Sequence, residues 1–332
     1  MNTRRFAVAA LFALATALAA GVTGAQQAAK MVRVGALFNR GPNLDDIEQL
    51  KKGLARLGYV EGIDIVIEAR FAEGKLDRLP GFAAELVAMG VDVIAAYGGP
   101  PTRAARGATA TIPIVAALVA DPVALGFAAT LARPGGNVTG ATNHDAELAI
   151  LQLRILREVF PRLARVAFLS DADIPGADST GLVPIERSNV AAAAAMSITP
   201  QMLKLRGPTP DLVKAFDALA AEKAEVLVVL EVPVPFTHRD RIAELAAERR
   251  IPTMFWGGAS NAGGMMSYGT SFVDNYPHIA EYIDRILKGA RPADMPFAVI
   301  TRREFVVNRK VARQLGVPVP DEVLKRADRI ID

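Results

Sequence analysis

Short, almost wholly apolar runs recur along the chain, each ending in a polar or glycine-rich turn and followed by a stretch with helical spacing. Val32 to Phe38, Ile63 to Ala69, Val91 to Ala96, Ile112 to Leu118 and Asn137 to Gly140 read as five strands. Runs this continuous suit strands buried on both faces, as in a parallel sheet covered by helices. The spacing predicts helices over 44–57, 79–89, 102–110 and 123–131. The pattern pivots on 91–122. There one buried run stops at Gly98-Gly99-Pro100-Pro101 and the next at Asp121-Pro122. Glycines permit a tight turn and close approach to the backbone, and prolines suit the first turn of a helix.

The second half repeats the pattern. Helices are predicted over 145–160, 185–196, 211–223 and 238–249, and strands over 165–170, 198–205, 225–230 and 253–256. Pro200 puts its strand at a sheet edge, and 231–235 reads as a turn. The run 91–96 with Ile112-Pro113-Ile114 is echoed by 225–230 with Ile251-Pro252-Thr253. The pieces after residue 264 are too short to bury a core and complete the first two units. The expected fold class is α/β, with two doubly wound parallel-sheet lobes and a ligand cleft between them. The first lobe is 31–141 plus about 264–296, and the second is 142–263 plus about 297–332.

Charge removes some functions. The 332 residues hold 38 Lys and Arg against 35 Asp and Glu, a balance that offers nucleic acid no basic surface. With no Cys, disulfides, thiol catalysis, cysteine metal sites and a lipid-modified N-terminal Cys are excluded. Arg4-Arg5, the apolar run Phe6 to Ala20 and Thr23-Gly24-Ala25 form a secretory leader cleaved near Ala25, which places the mature protein in the periplasm.

Catalytic patterns are poor. His144, His238 and His278 stand apart without metal-ligand spacing. Ser170 and Ser267 lack a Gly-x-Ser-x-Gly frame. Asp171 and Asp173 are expected to face solvent from a polar loop. Trp256, the only tryptophan, ends a predicted strand and either stacks on a ligand or plugs the core. Arg40 is either a carboxylate clamp or a solvated loop residue. No metal or cofactor is expected, and no catalysis.

Several phrases together resemble one family. They are Gly53-Leu54-Ala55-Arg56-Leu57-Gly58-Tyr59-Val60-Glu61-Gly62, Thr111-Ile112-Pro113-Ile114-Val115, Asp121-Pro122-Val123, Leu131 to Gly140, Gly263 to Gly269 and Tyr282 to Pro292. The chain resembles the ABC transporter substrate-binding proteins related to the tryptophan-binding TrpX type, over Met31 to Asp332. The resemblance implies the type I periplasmic-binding fold, with three segments crossing between lobes. It implies capture of a small-molecule solute, amino-acid-like or aromatic or carboxylate, followed by docking on an ABC permease as a monomer. Its site residues map to Asn39, Gly98, Gly99, Asp121, Asn143, Glu231, Trp256 and Tyr268. Arg40 joins them as the candidate carboxylate clamp, and Thr102 through the N–H groups at the start of the helix after Gly98-Gly99, which are expected to hold an anionic or carbonyl end of the ligand. The turn after the first strand departs from the Ser- or His-containing turn of many members. A sensor subunit for a receptor kinase is the alternative on the same fold, and a secreted α/β hydrolase the alternative from another class.

Overall fold

Apolar runs that cannot tolerate water on either face are resolved into two sheets, each sandwiched by helices. The computed structural model describes residues 31–332 apart from 40, 43, 120, 144–146, 175, 258, 260–262 and 271–274. The predicted leader, residues 1–25, and His144 lie outside the described residues. The strands are β1 (Val32–Phe38), β2 (Ile65–Phe71), β3 (Val93–Tyr97), β4 (Ile114–Val119), β5 (Val138–Thr142), β6 (Arg165–Asp171), β7 (Thr199–Leu205), β8 (Val226–Val229), β9 (Thr253–Phe255), β10 (Met266–Thr270), β11 (Ala298–Val299), β12 (Arg303–Asn308) and β13 (Arg329–Ile331). The helices are α1 (Leu44–Arg56), α2 (Leu79–Ala88), α3 (Gly99–Ala108), α4 (Leu148–Val159), α5 (Pro184–Ala195), α6 (Leu212–Ala221), α7 (Pro233–Thr237), α8 (Arg239–Glu248), α9 (Asn275–Leu287), α10 (Arg309–Leu315) and α11 (Asp321–Lys325).

The first sheet runs β11-β5-β4-β3-β1-β2 and the second β13-β12-β10-β9-β8-β6-β7. Five strands of each follow the same order, so the echo heard in the sequence is a repeated topology. All described pairings are parallel except β10 with β12. Each sheet carries an apolar cluster on either face. Pro200 does sit on an edge strand, β7.

Three expectations are corrected. No helix forms over 123–131: the Asp121 side chain caps a single turn through the Val123 and Ala124 N–H groups, and Gly126 at φ +71° ends it. The turn expected at 231–235 contains the start of α7, whose first residue is Pro233, a position that needs no N–H. Met266–Thr270, expected in the first lobe, pairs with β9 and β12 in the second sheet. Only the stretch from α9 to β11 returns to the first lobe. The chain therefore passes between sheets after β5, after β10 and after β11.

Several of the recurring phrases serve packing. A Cβ on Gly53 of α1 would lie 2.8 Å from Ala280 Cβ of α9, so the glycine sets how closely these helices approach. The Tyr59 hydroxyl donates to Asp284 at 3.0 Å across the same contact. Asn137 Nδ2 closes the 109–112 turn through the Thr109 and Ile112 carbonyls. Gly140, at φ +144°, has no room for a Cβ, which would overlap the Ala116 carbonyl oxygen.

Neither the dihedral nor the backbone contact at Gly140 can relax independently. Gly140→Ala is expected to cost about 3 kcal/mol of unfolding free energy or to abolish folding. Gly107→Ala, in α3 where a Cβ meets nothing within 4 Å, should be neutral or stabilising by up to about 1 kcal/mol. Denaturant unfolding of the two variants checks both. A pH effect is expected at Tyr59. Desolvation, and then its hydrogen bond to Asp284, push its phenol up to about 12. The unfolded phenol ionises near pH 10, at about its ordinary value. Its stabilising contribution is complete below that pH and is lost as pH rises through the folded value. Wild-type protein should therefore lose more thermal stability than Tyr59→Phe on going from pH 9.5 to about 12.

Candidate functional site

In an open parallel sheet, flanking helices leave a crevice at the carboxyl ends of the strands, beside the point where strand order reverses. Here β1 and β3 flank that point in one lobe, β6 and β8 in the other, and both crevices open on one cavity. Its lining comes from the ends of β1, β3 and β4, from the turns after β6 and β8, and from the starts of α5 and α9. It holds about 1060 Å³ including the open solvent at its mouth. The lobes also touch beside it. A Cβ on Gly176 would lie 3.7 Å from Leu125 and 3.9 Å from Arg103 of the first lobe, and one on Gly74 would lie 4.0 Å from Pro208 and Thr237 of the second.

Aromatic walls come from both lobes. Tyr97 is stacked on Phe38 at 4.1 Å between centroids, and Tyr276 is tilted against it at 6.4 Å. The Tyr276 hydroxyl donates to Asp46. From the second lobe comes Phe236, stacked on Trp256 at 5.4 Å. Phe236 rides on α7, and α7 is held by a buried carboxylate. Asp171 Oδ2 accepts from Val234 N at 3.1 Å and its Oδ1 from Asp173 N at 2.8 Å. Asp171 thus does not face solvent, and burial raises its pKa against the pull of those backbone bonds. Asp173 is bonded to Arg206 and to Gly207 N.

The structure brings Asn39, Gly98, Gly99, Asp121, Asn143 and Glu231 to the cavity. Gly98, at φ +97°, turns β3 into α3. Asp121 Oδ1 accepts from Val123 N and Ala124 N at 3.2 and 2.9 Å. Asn143, on the first crossing segment, donates through Nδ2 to Glu231 Oε2 at 3.4 Å. Thr102 lines no chamber. It is fully buried, and both its hydroxyl and its N–H are spent on the Gly98 carbonyl, at 2.8 and 3.2 Å. With Pro100 and Pro101 lacking an N–H, this helix start keeps only the Gly99 N–H for an anion, among the described residues. Tyr268 is also away from the cavity, packed edge-on to Phe305 at 5.8 Å in the second lobe's core. Arg40 lies outside the described residues. Trp256, 3% exposed, is a core residue, the second of the two readings the sequence left open. It fills the core and borders a second chamber that adjoins the first. Ser170 and Ser267 are buried in strands and border neither chamber.

Residues that sequence reasoning missed include Tyr97, Tyr276, Phe236, Leu118 and Ile185. Tyr97 had a signal, since it immediately precedes Gly98-Gly99. Leu118 enters through a bulge, where β4 spends two residues against one of β5 and Leu118 takes φ +56°.

The comparisons agree with the fold. The family model described as ABC transporter substrate binding protein matches residues 33–331. The chain is similar to a tyrosine-binding protein of Clostridioides difficile, 23% identical over 280 residues, covering 83% of this chain and 78% of the relative. A domain in complex with L-Trp from Streptococcus pneumonia superimposes with TM-score 0.81 at 24% identity, over 91% of this chain and all of that one. A conserved domain protein from Vibrio cholerae gives TM-score 0.82 at 25% identity with the same coverage. The architecture is the type I periplasmic-binding-protein fold.

Asp171→Asn leaves one of two backbone N–H groups without its carboxylate acceptor. A loss of about 2 kcal/mol of stability is expected. Trp256 fluorescence should change with it, since α7 carries the ring stacked on Trp256. Chemical unfolding followed by tryptophan emission reads both; an unchanged native spectrum would show that Asp171 does not hold α7.

Proposed function

This chain belongs to the ABC transporter substrate binding protein family, and from that premise we propose that it is an exported receptor which captures an amine-bearing solute with an apolar or aromatic body, amino acids included. The lobes close on the solute, and the closed form docks on the permease of an importer. The observation that carries the proposal is the lining of the cavity. Tyr97, Tyr276 and Phe236 offer ring faces, Leu118, Leu125 and Ile185 offer apolar contact, and Asp121 and Glu231 bring carboxylates. Rings and aliphatic groups hold the body of such a solute through burial and stacking. Carboxylates in a partly desolvated cleft favour an ammonium. The turn after β3 is a weak anion site, because Pro100, Pro101 and Thr102 leave it so few N–H groups. The relatives named for tyrosine and tryptophan binding support the amino-acid class. Export is supported by Arg4-Arg5 and the apolar run before Ala25.

A thermal-shift panel of L-amino acids, aromatic amines, sugars and organic acids tests the ligand class. A cognate solute at a hundredfold excess over Kd should stabilise the protein by about 2.7 kcal/mol. At least one amine-bearing apolar or aromatic compound is expected to do so. Stabilisation by sugars or organic acids alone would sink the proposal.

A further inference from the structure

The two chambers share a wall at the start of α5. Val183 borders the first chamber, and Pro184 and Ile185 border both. This wall follows a long connection, 172–183, with no strand or helix of its own among the described residues. A connection of that length needs fixing from within. On its solvent side Asp178 accepts from Thr180 N and the Thr180 hydroxyl and pairs with Arg187 at 2.8 Å. On its inner side stands an ion pair that lines neither chamber. Glu186, the third residue of α5, is fully buried. Its Oε2 accepts from Val183 N at 3.0 Å and from Lys204 Nζ at 2.8 Å. The same ammonium donates to the Gly181 carbonyl at 2.7 Å. Val183 brings no polar side chain to the capping position and Pro184 no N–H, so the reach of Glu186 back to Val183 N is what fixes this helix start. One carboxylate and one lysine from the edge strand β7 thus tie 181, 183 and 186 into a hook, with the cavity wall at its bend. Glu186 Oε1 is buried without a partner among the described residues. A pair buried at that cost is a poor source of stability, and its effect is to fix one geometry.

We infer that Glu186 and Lys204 are positioning residues for solute binding, which fix the wall 183–185 from outside both chambers and so set the size of the body that the cleft accepts. With the hook tied, Val183 and Ile185 stand at one separation from the side chains that line the cavity from the first lobe, Tyr97 and Leu125 among them. A solute that fits gains its contacts against a wall already in place. With the hook untied, 181–185 samples several conformations, and every solute must order them on binding. Affinity falls, and discrimination by size falls with it. The inference rests on the receptor reading above, since the wall matters to binding only where the cleft holds a solute.

The chain has no Cys, so Ile185→Cys places a unique thiol on the wall, and its rate of reaction with uncharged dithiodipyridine reads how firmly the wall is held. Glu186→Leu combined with Lys204→Met leaves no buried charge unpaired, and its melting temperature should stay within about 5 °C of wild type. The thiol should nevertheless react at least about tenfold faster in that background. Glu186→Gln, whose amide oxygen still accepts from Val183 N, should keep the rate within about threefold. Glu186→Ala, which leaves the half-buried Lys204 free to turn to water, gives the same comparison if the double variant does not fold. Calorimetry on chains without the added thiol uses L-tyrosine, L-leucine and phenethylamine, with any other panel compound that binds wild type. The tightest of them should lose at least about tenfold in the double variant, and the spread of affinities should narrow. A pair that served stability alone would leave both unchanged in a variant that melts like wild type. An unchanged thiol rate in the folded variant overturns the inference, and so does a faster thiol with unaltered affinities; the receptor reading survives either result. If no panel compound binds wild-type protein, the receptor reading falls and takes the binding role of the pair with it, whatever the thiol rate.

Discussion

The reversal of strand order beside β1 and beside β6 is the constraint on which the rest depends. Both sheets must bury two apolar faces, so helices cover each side. At the reversal, successive connections leave toward opposite faces, and nothing covers the ends of the central strands. The two lobes repeat the same five-strand order, so each offers the same kind of crevice. Set against each other, the crevices enclose a cavity whose floor is backbone turns and whose walls are whichever side chains those turns carry. Tyr97, Asp121, Ile174 and Glu231 all reach it from the ends of strands or the turns after them.

Beside the crossing segments, close backbone contact within the first sheet accompanies side-chain packing. Gly140 admits the Ala116 carbonyl, and the neighbouring bulge holds Leu118 at φ +56°. The Thr142 hydroxyl donates to the Val119 carbonyl at 2.6 Å, and Ile300 N, on the third crossing, donates to the Thr142 carbonyl at 2.9 Å. Leu118, Ala141 and Ile300 form a small apolar cluster of their own there. One side chain, Leu118, therefore belongs both to this junction and to the cavity wall. Asp171 does similar work in the second lobe, where burial of one carboxylate fixes α7 and through it the Phe236–Trp256 stack.

The phrases that carry the family resemblance mostly encode architecture. Gly53 and Tyr59 fit α1 to α9, Asn137 closes a turn, and Thr139 donates to the Met295 carbonyl at 2.7 Å. They identify the fold strongly and the solute weakly. The residues that give the cavity its chemical character are common side chains in irregular segments. Phe236 follows two prolines, and Ile185 opens a helix. The family resemblance placed Tyr268 in the site, and the N–H groups expected at the start of α3 placed Thr102 there. Thr102 is instead consumed by its own helix cap, and Tyr268 faces the core.

What the sequence determined by itself was most of the elements and their burial: the doubly buried strands, the edge position of the strand with Pro200, the repeated pattern of the halves, and the turns at Gly98-Gly99 and Asp121. Periodicity reports how one segment meets water, and that is a local property. Only the tertiary structure decided that β10 joins the second sheet, that Asp171 is buried, that Trp256 both fills a core and borders a chamber, and that Lys204 of the edge strand meets Glu186 beside the cavity wall. Those facts arise between segments far apart in the chain, where shared volume and hydrogen-bond geometry, rather than pattern, set the outcome.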